Sequence, residues 1–299
     1  MFFKQQGRMM NEADFIQALR RLATHPAARG LEDDCAVLPL GAETLVLTHD
    51  MLVEGTHLDP GQSLADAAWK LVATNLSDLA AKGAQPLGVL VGHMLGDGDD
   101  AFIAGLAEAL AHYDVPLLGG DTVRAPAMAP RTFGLTALGR ATHTPVPSRA
   151  GARPGDTVWL TGPVGAAMLG LEALRSGTGD ATAYLRPAAL LAEGRALAPC
   201  VTAMMDVSDG LLLDASRMAS ASMATFAIES TAVPIATDES RRAEALRWGD
   251  DYQLLFTLPA GAEPPLPAHR IGDVRTRGSA PLLLDGAPPA AGSRLGYEH

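Results

Sequence analysis

Apolar, strand-like runs along this chain repeatedly break at aspartate, and that pattern limits the folds open to it. Within a strand expected over 43–53 the run Thr44-Leu45-Val46-Leu47-Thr48 ends at His49-Asp50, the run 115–118 stops at Gly119-Gly120-Asp121, and the run 204–207 carries Asp206 into Ser208-Asp209-Gly210. Asp33-Asp34 stands directly before Cys35-Ala36-Val37-Leu38. Between the runs lie helical periods. Ala68, Leu71, Val72, Leu76 and Leu79 predict a helix over 64–82, with Asn75, Asp78 and Lys82 on one flank. Strands alternating with helices give an α/β or α+β chain, and strand ends commonly converge on one rim of a sheet, where acids from distant segments can meet.

Further strands are expected at 86–94, 132–139, 157–161, 225–229, 252–258 and 269–274, and further helices at 12–23, 100–113, 211–221 and from Gly165 to near Gly177. A chain of 299 residues suits two cores rather than one. The stretch 143–156, with three prolines and two glycines, reads as the connection. The boundary is placed near Arg149, giving domains 1–148 and 149–299.

Charge excludes whole classes of partner. The net charge is -11 and the pI about 5.1, which argues against a polyanion held on a broad basic face, so no nucleic acid is expected. No apolar run reaches the roughly 20 residues that span a bilayer, and no leader-like apolar stretch follows Lys4 and Arg8. Cys35 and Cys200 form no CxxC pair. No membrane partner and a cytoplasmic location are the expectations.

The only lysines are Lys4, Lys70 and Lys82, and none lies in a Walker loop. If phosphates are handled, carboxylate-held metal ions are the obvious substitute for that lysine, because hard divalent cations prefer oxygen ligands. Each acid also has an ordinary explanation. Asp33-Asp34 reads as a solvated turn, Ser208 and Asp209 as a helix cap and first-turn acid, Asp78 as a water-facing flank residue, and Asp121 as a turn residue. Gly119-Gly120 and Gly162-Pro163-Val164-Gly165 permit close approach to a ligand or form plain turns. The combination, acids following apolar strands beside glycines, favours a site.

Five segments together resemble a known family: Leu47-Thr48-His49-Asp50-Met51-Leu52-Val53-Glu54-Gly55-Thr56-His57, Ala73-Thr74-Asn75-Leu76-Ser77-Asp78-Leu79-Ala80-Ala81, Gly119-Gly120-Asp121-Thr122-Val123-Arg124, Asp206-Val207-Ser208-Asp209-Gly210-Leu211 and Gly249-Asp250-Asp251-Tyr252-Gln253-Leu254. In this order they look like the thiamine-monophosphate kinases. The resemblance implies the two-domain fold shared with aminoimidazole ribonucleotide synthetase and dimerisation through the first domain as a homodimer. It also implies transfer of the ATP γ-phosphoryl group to thiamine monophosphate. By the same resemblance Asp34, Asp50, Asp78, Asp121 and Asp206 are magnesium ligands, with Thr48 and His49 contributing beside Asp50 and Asp209 binding a further Mg2+. Gly120, Asp121, Arg140 and Ser208 are implied to contact ATP, and His57 and Asp250 to face the thiamine substrate.

The departures are Glu32 in place of a usual Gly, His49 for Thr, and Trp248-Gly249-Asp250-Asp251 for a Gly-Gly-Glu-Asp pattern. Tyr297 stands near where the family carries an aromatic residue. Two other readings stay open: another ATP-dependent enzyme of the same superfamily, and a non-catalytic cation-binding module.

Overall fold

The computed structural model describes residues 12–124, 126, 129–290 and 292–298. The leader-free start expected around Lys4 and Arg8 lies outside the described residues.

The first half contains α1 (Glu12–Leu19), β1 (Ala36–Leu40), β2 (Glu43–Val53), α2 (Leu64–Ala81), β3 (Ala84–Leu95), α3 (Asp99–Tyr113), β4 (Leu117–Arg124) and β5 (Thr132–Ala141). Its strands form one sheet in the order β1-β2-β5-β3-β4, antiparallel except for the β3–β4 pair. Alternation on β2 fixes its faces. Val46, Thr48 and Leu52 are buried towards α2, while His49 and Met51 are exposed on the other side. Ser63 starts α2, its hydroxyl accepting from the Asp66 N–H at 3.1 Å.

The second half contains β6 (Thr157–Leu160), α4 (Ala166–Ser176), α5 (Thr182–Leu185), α6 (Leu191–Leu197), β7 (Ala203–Asp206), α7 (Leu211–Ala221), β8 (Ala224–Ile228), α8 (Arg242–Ala245), β9 (Leu254–Leu258), β10 (His269–Thr276) and β11 (Leu282–Leu284). Six strands pair in the order β11-β8-β10-β6-β9-β7. Both faces of this sheet are covered, so its central strands read as continuous apolar runs. Met204 and Phe256 face the first half's core, whereas Met205 and Leu255 face a second core built with α7. Two mixed sheets with helices are the α/β architecture expected; α5, α6 and α8 are too short to give a periodic signal.

Helix α2 is the seam. Thirteen of its 18 residues are buried, because one side packs on β2, β3 and β5 and another meets α6 and β7. The approach to α6 is backbone to backbone: a Cβ on Gly194 would lie 2.0 Å from the Ala80 carbonyl oxygen.

Two expectations need correction. The strand expected to stop before Gly119-Gly120-Asp121 runs through them, because its parallel pairing with β3 continues from Gly92↔Asp121 to Leu95↔Arg124. Glycine is required at 120 by proximity, since a Cβ there would meet the Val91 carbonyl oxygen at 2.0 Å. Asp33-Asp34 is no solvated turn either: both carboxylates are buried and enclosed by cations.

Candidate active site

A cleft of roughly 1230 Å³ opens along the seam, lined from both halves by Asp34, Asp50, Asp78, Arg149, Asp206 and Asp209 among others. At its floor Asp34, Asp78 and Asp206 each offer a carboxylate oxygen, all within 4.8 Å of one another. Three separate pieces of chain deliver them: the loop before β1, the flank of α2, and the end of β7. Thr48 donates its hydroxyl to Asp78, and Ser77 on α2 donates to Asp206 at 2.6 Å across the seam. Asn75 anchors β2 by accepting from the Asp50 N–H at 3.0 Å.

Asp34 is paired with Lys82 and Arg149, whereas Asp78 and Asp206 form no ion pair among the described residues. Burial, reinforced by the charges of Asp50, Asp206 and Asp34, raises Asp78 well above the ordinary carboxylate range. Burial, with Asp34's charge next, pushes Asp206 up to about 7, against the pull of the Ser77 hydrogen bond. Asp50 is also raised, chiefly by burial. A group of hard oxygen donors that draws protons this strongly fits a hard divalent cation.

Four of the other residues expected in the site line the same cleft: Ser208, Asp209, His57 and Asp250. Ser208 and Asp209 both donate backbone N–H groups to the wholly buried Asp214, at 3.1 and 3.0 Å, and Asp209 is paired with Arg217. The Asp250 carboxylate accepts from Lys70 at 2.7 Å and from the Tyr252 hydroxyl at 2.9 Å, and the Lys70 ammonium lies 3.8 Å from the Tyr184 ring centre. His57 accepts from the Val53 N–H through Nδ1 at 3.1 Å and, through its carbonyl, from Tyr184 at 3.2 Å.

Four expected residues lie elsewhere in this chain. His49 points to the opposite face of β2, where Nδ1 meets Thr136 at 2.9 Å, because adjacent strand residues alternate faces. Gly120 and Asp121 are exposed on the edge strand β4. Gly120 shares a cross-strand row with Asp50 through Leu135 and Val91, three strand spacings or roughly 14 Å away. Arg140 sits near the far end of β5, at 3.7 Å from Glu43, and is absent from the cleft lining; Arg149 is the arginine that reaches Asp34 there.

Sequence reasoning also missed Lys82, Lys70, Arg149 and Asp214. Lys82 carried a signal, lying on the flank of Asn75 and Asp78. The glycine-rich turn at 162–165 holds no free helix end: Asp251 accepts from the Gly165 and Ala167 N–H groups at 2.6 and 3.1 Å.

Two mixed α/β halves meeting at a carboxylate floor define an AIR synthase related protein. The N-terminal domain of that family matches residues 32–141, and its C-terminal domain matches 153–269. The chain is 36% identical over 252 residues to the thiamine-monophosphate kinase of Escherichia coli, covering 77% of this chain and 76% of that one. It is 29% identical over 318 residues to that of Leptospira interrogans, covering 99% of each. A solved structure described as AaThiL complexed with AMPPCP and TMP superposes with a TM-score of 0.86 at 26% identity, covering 98% of this chain and 99% of the other. This chain belongs to the thiamine-monophosphate kinase family.

Proposed function

We propose that the chain transfers the γ-phosphoryl group of ATP to the phosphate of thiamine monophosphate, giving thiamine diphosphate and ADP. The observation that carries this reading is the meeting of Asp34, Asp78 and Asp206 at the floor of a cleft shared by both halves, in a member of this family. A phosphate monoester has a second pKa near 6, so the acceptor reaches the cleft already largely dianionic and needs no general base. The work left to the protein is to align two polyanions and to offset their charge.

Asp34, Asp50, Asp78 and Asp206 would hold Mg2+, with Asp209 taking a further ion. Bound magnesium would neutralise phosphate oxygens and orient them for in-line transfer. Arg149, which lines the cleft and is paired with Asp34, would face the phosphates, and Ser208 faces the same space. At the other end Lys70 and Tyr252 orient Asp250 towards the thiamine, with His57 nearby. A boundary near Arg149 and a cytoplasmic location complete the reading; no helix among the described residues is long and apolar enough to cross a membrane.

The exposed apolar surface of the first sheet supports the homodimer. Met51, Leu90, Leu118 and Val123 are exposed on the first sheet, and β4 is exposed throughout. A second copy would cover that surface and bring Gly120 and Asp121 to the neighbouring cleft.

Purified protein should release ADP from ATP only when both magnesium and thiamine monophosphate are present. ADP release without thiamine monophosphate, or none under any of these conditions, would reject the assignment and favour a superfamily relative or a non-catalytic module.

Magnesium dependence should also track pH. The folded value of Asp206, about 7, lies above its ordinary value of 3.8, so its contribution to metal-free stability is intact below about 4 and is lost as pH rises through about 7. Magnesium competes with that proton. The rise in thermal midpoint caused by magnesium should therefore be small at about pH 6 and larger at about pH 8. Equal rises at both values would contradict the electrostatics of the cluster.

A further inference from the structure

Lys82 follows the last turn of α2 and has no exposed surface. Its ammonium meets Asp33 Oδ1 and Asp34 Oδ2, each at 2.5 Å, and donates to the Met204 carbonyl at 3.3 Å. Arg29 holds the other oxygen of Asp33, and Arg149 the other oxygen of Asp34. Burial drives the ammonium towards its neutral form, but the charges of Asp33 and Asp34 outweigh it and Lys82 stays protonated. An ion is a costly filling for such a position, where a well-packed apolar side chain of similar volume is often as stable or more so. What distinguishes the position is its neighbour: Asp34 also belongs to the carboxylate trio with Asp78 and Asp206.

We propose that Lys82 is a resident positive charge of the carboxylate cluster, a positioning residue that holds Asp34 in place and sets how strongly the cluster draws a divalent cation. The inference rests on the cluster being a cation site. It adds that the site's net charge is partly balanced from within, so the ion that arrives is held less tightly than the carboxylates alone would hold it. Asp33 is the other half of the device: it shares the ammonium with Asp34 and so limits how much of that charge the cluster feels.

Two substitutions should move metal affinity in opposite directions. Lys82→Met removes the charge at similar volume, and Asp33→Asn leaves the charge but removes one of the two anions that share it. Calorimetric titration of Mg2+ into nucleotide-free protein should show binding tightened about a hundredfold or more in Lys82→Met, and weakened by a similar factor in Asp33→Asn, as expected for a unit charge within about 10 Å of a divalent ion at an effective dielectric of about 20. Turnover of Lys82→Met at saturating magnesium should still fall, because Asp34 has lost one of its two cationic anchors.

A purely structural lysine predicts something else: lowered thermal midpoints with unchanged magnesium affinity in both variants, and that result overturns the proposal. Shifts in the same direction overturn it too. If Lys82→Met does not fold, Asp33→Asn decides alone, and unchanged affinity there refutes the role. Failure of the unsubstituted protein to bind Mg2+ would instead remove the cation site itself, and the inference with it.

Discussion

Asp206→Asn should lower phosphoryl transfer by about a thousandfold or more while raising the thermal midpoint of the metal-free protein. Both halves of this expectation come from one geometry. Asparagine keeps the shape and still presents an oxygen to the Ser77 hydroxyl, which donates to Asp206 at 2.6 Å, so the seam contact survives. What disappears is a negative charge within 4.8 Å of the oxygens of Asp34 and Asp78. The cation loses an anionic ligand, and charge compensation of this kind is worth several kcal/mol in a transition state that spreads phosphoryl charge. Without metal the same loss relieves repulsion, since burial and Asp34 already hold the carboxyl at about 7. Steady-state ADP release, together with melting in a chelator at about pH 8, reads both effects. Unchanged turnover would take Asp206 out of the site, and a marked drop in melting temperature would show its role to be structural.

The second large effect concerns assembly. Asp121→Asn and Asp206→Asn chains should each be nearly inactive alone, yet refolded together as an equimolar mixture they should recover roughly a quarter of wild-type activity. With sites shared between two chains as proposed, random pairing would make half the dimers mixed, and each mixed dimer would place both substitutions in one cleft and leave the other intact. The basis is the position of Asp121, exposed on β4 and one residue beyond the row that joins Asp50, Leu135, Val91 and Gly120 across the sheet. Within one chain that edge strand stands three strand spacings, roughly 14 Å, from Asp50. If the mixture stays inactive while remaining dimeric, sites are not shared between chains.

Regular periods made much of the fold legible. The helix expected over 64–82 is α2, Leu64–Ala81, and the helix at 211–221 is α7, Leu211–Ala221. The gathering of Asp34, Asp50, Asp78 and Asp206 was readable as a possibility, because each borders an apolar run or flanks a helix. Their partners were not readable. Lys82 and Asp33 are 49 residues apart, and Arg149 and Asp34 are 115 apart, so no local pattern links them. By composition Asp33-Asp34 is a water-loving turn; three cations converging from α2, the connection and the loop at Arg29 override that local preference. Gly119-Gly120-Asp121 misled in the opposite way. Glycine pairs are read as turns, but here the strand continues and glycine serves the close approach to Val91. Arg140 precedes the connection and Arg149 lies within it, and only packing tells which of them lines the cleft.

One rod of helix carries Lys70 towards Asp250, Ser77 towards Asp206, and Lys82, just past its end, towards Met204, while its other side is sewn into the first sheet. Prising the halves apart like a hinge would break an ion pair, a hydrogen bond and a backbone-close helix contact in a single movement. Exchange of nucleotide and product through the mouth of the cleft would leave all three contacts in place.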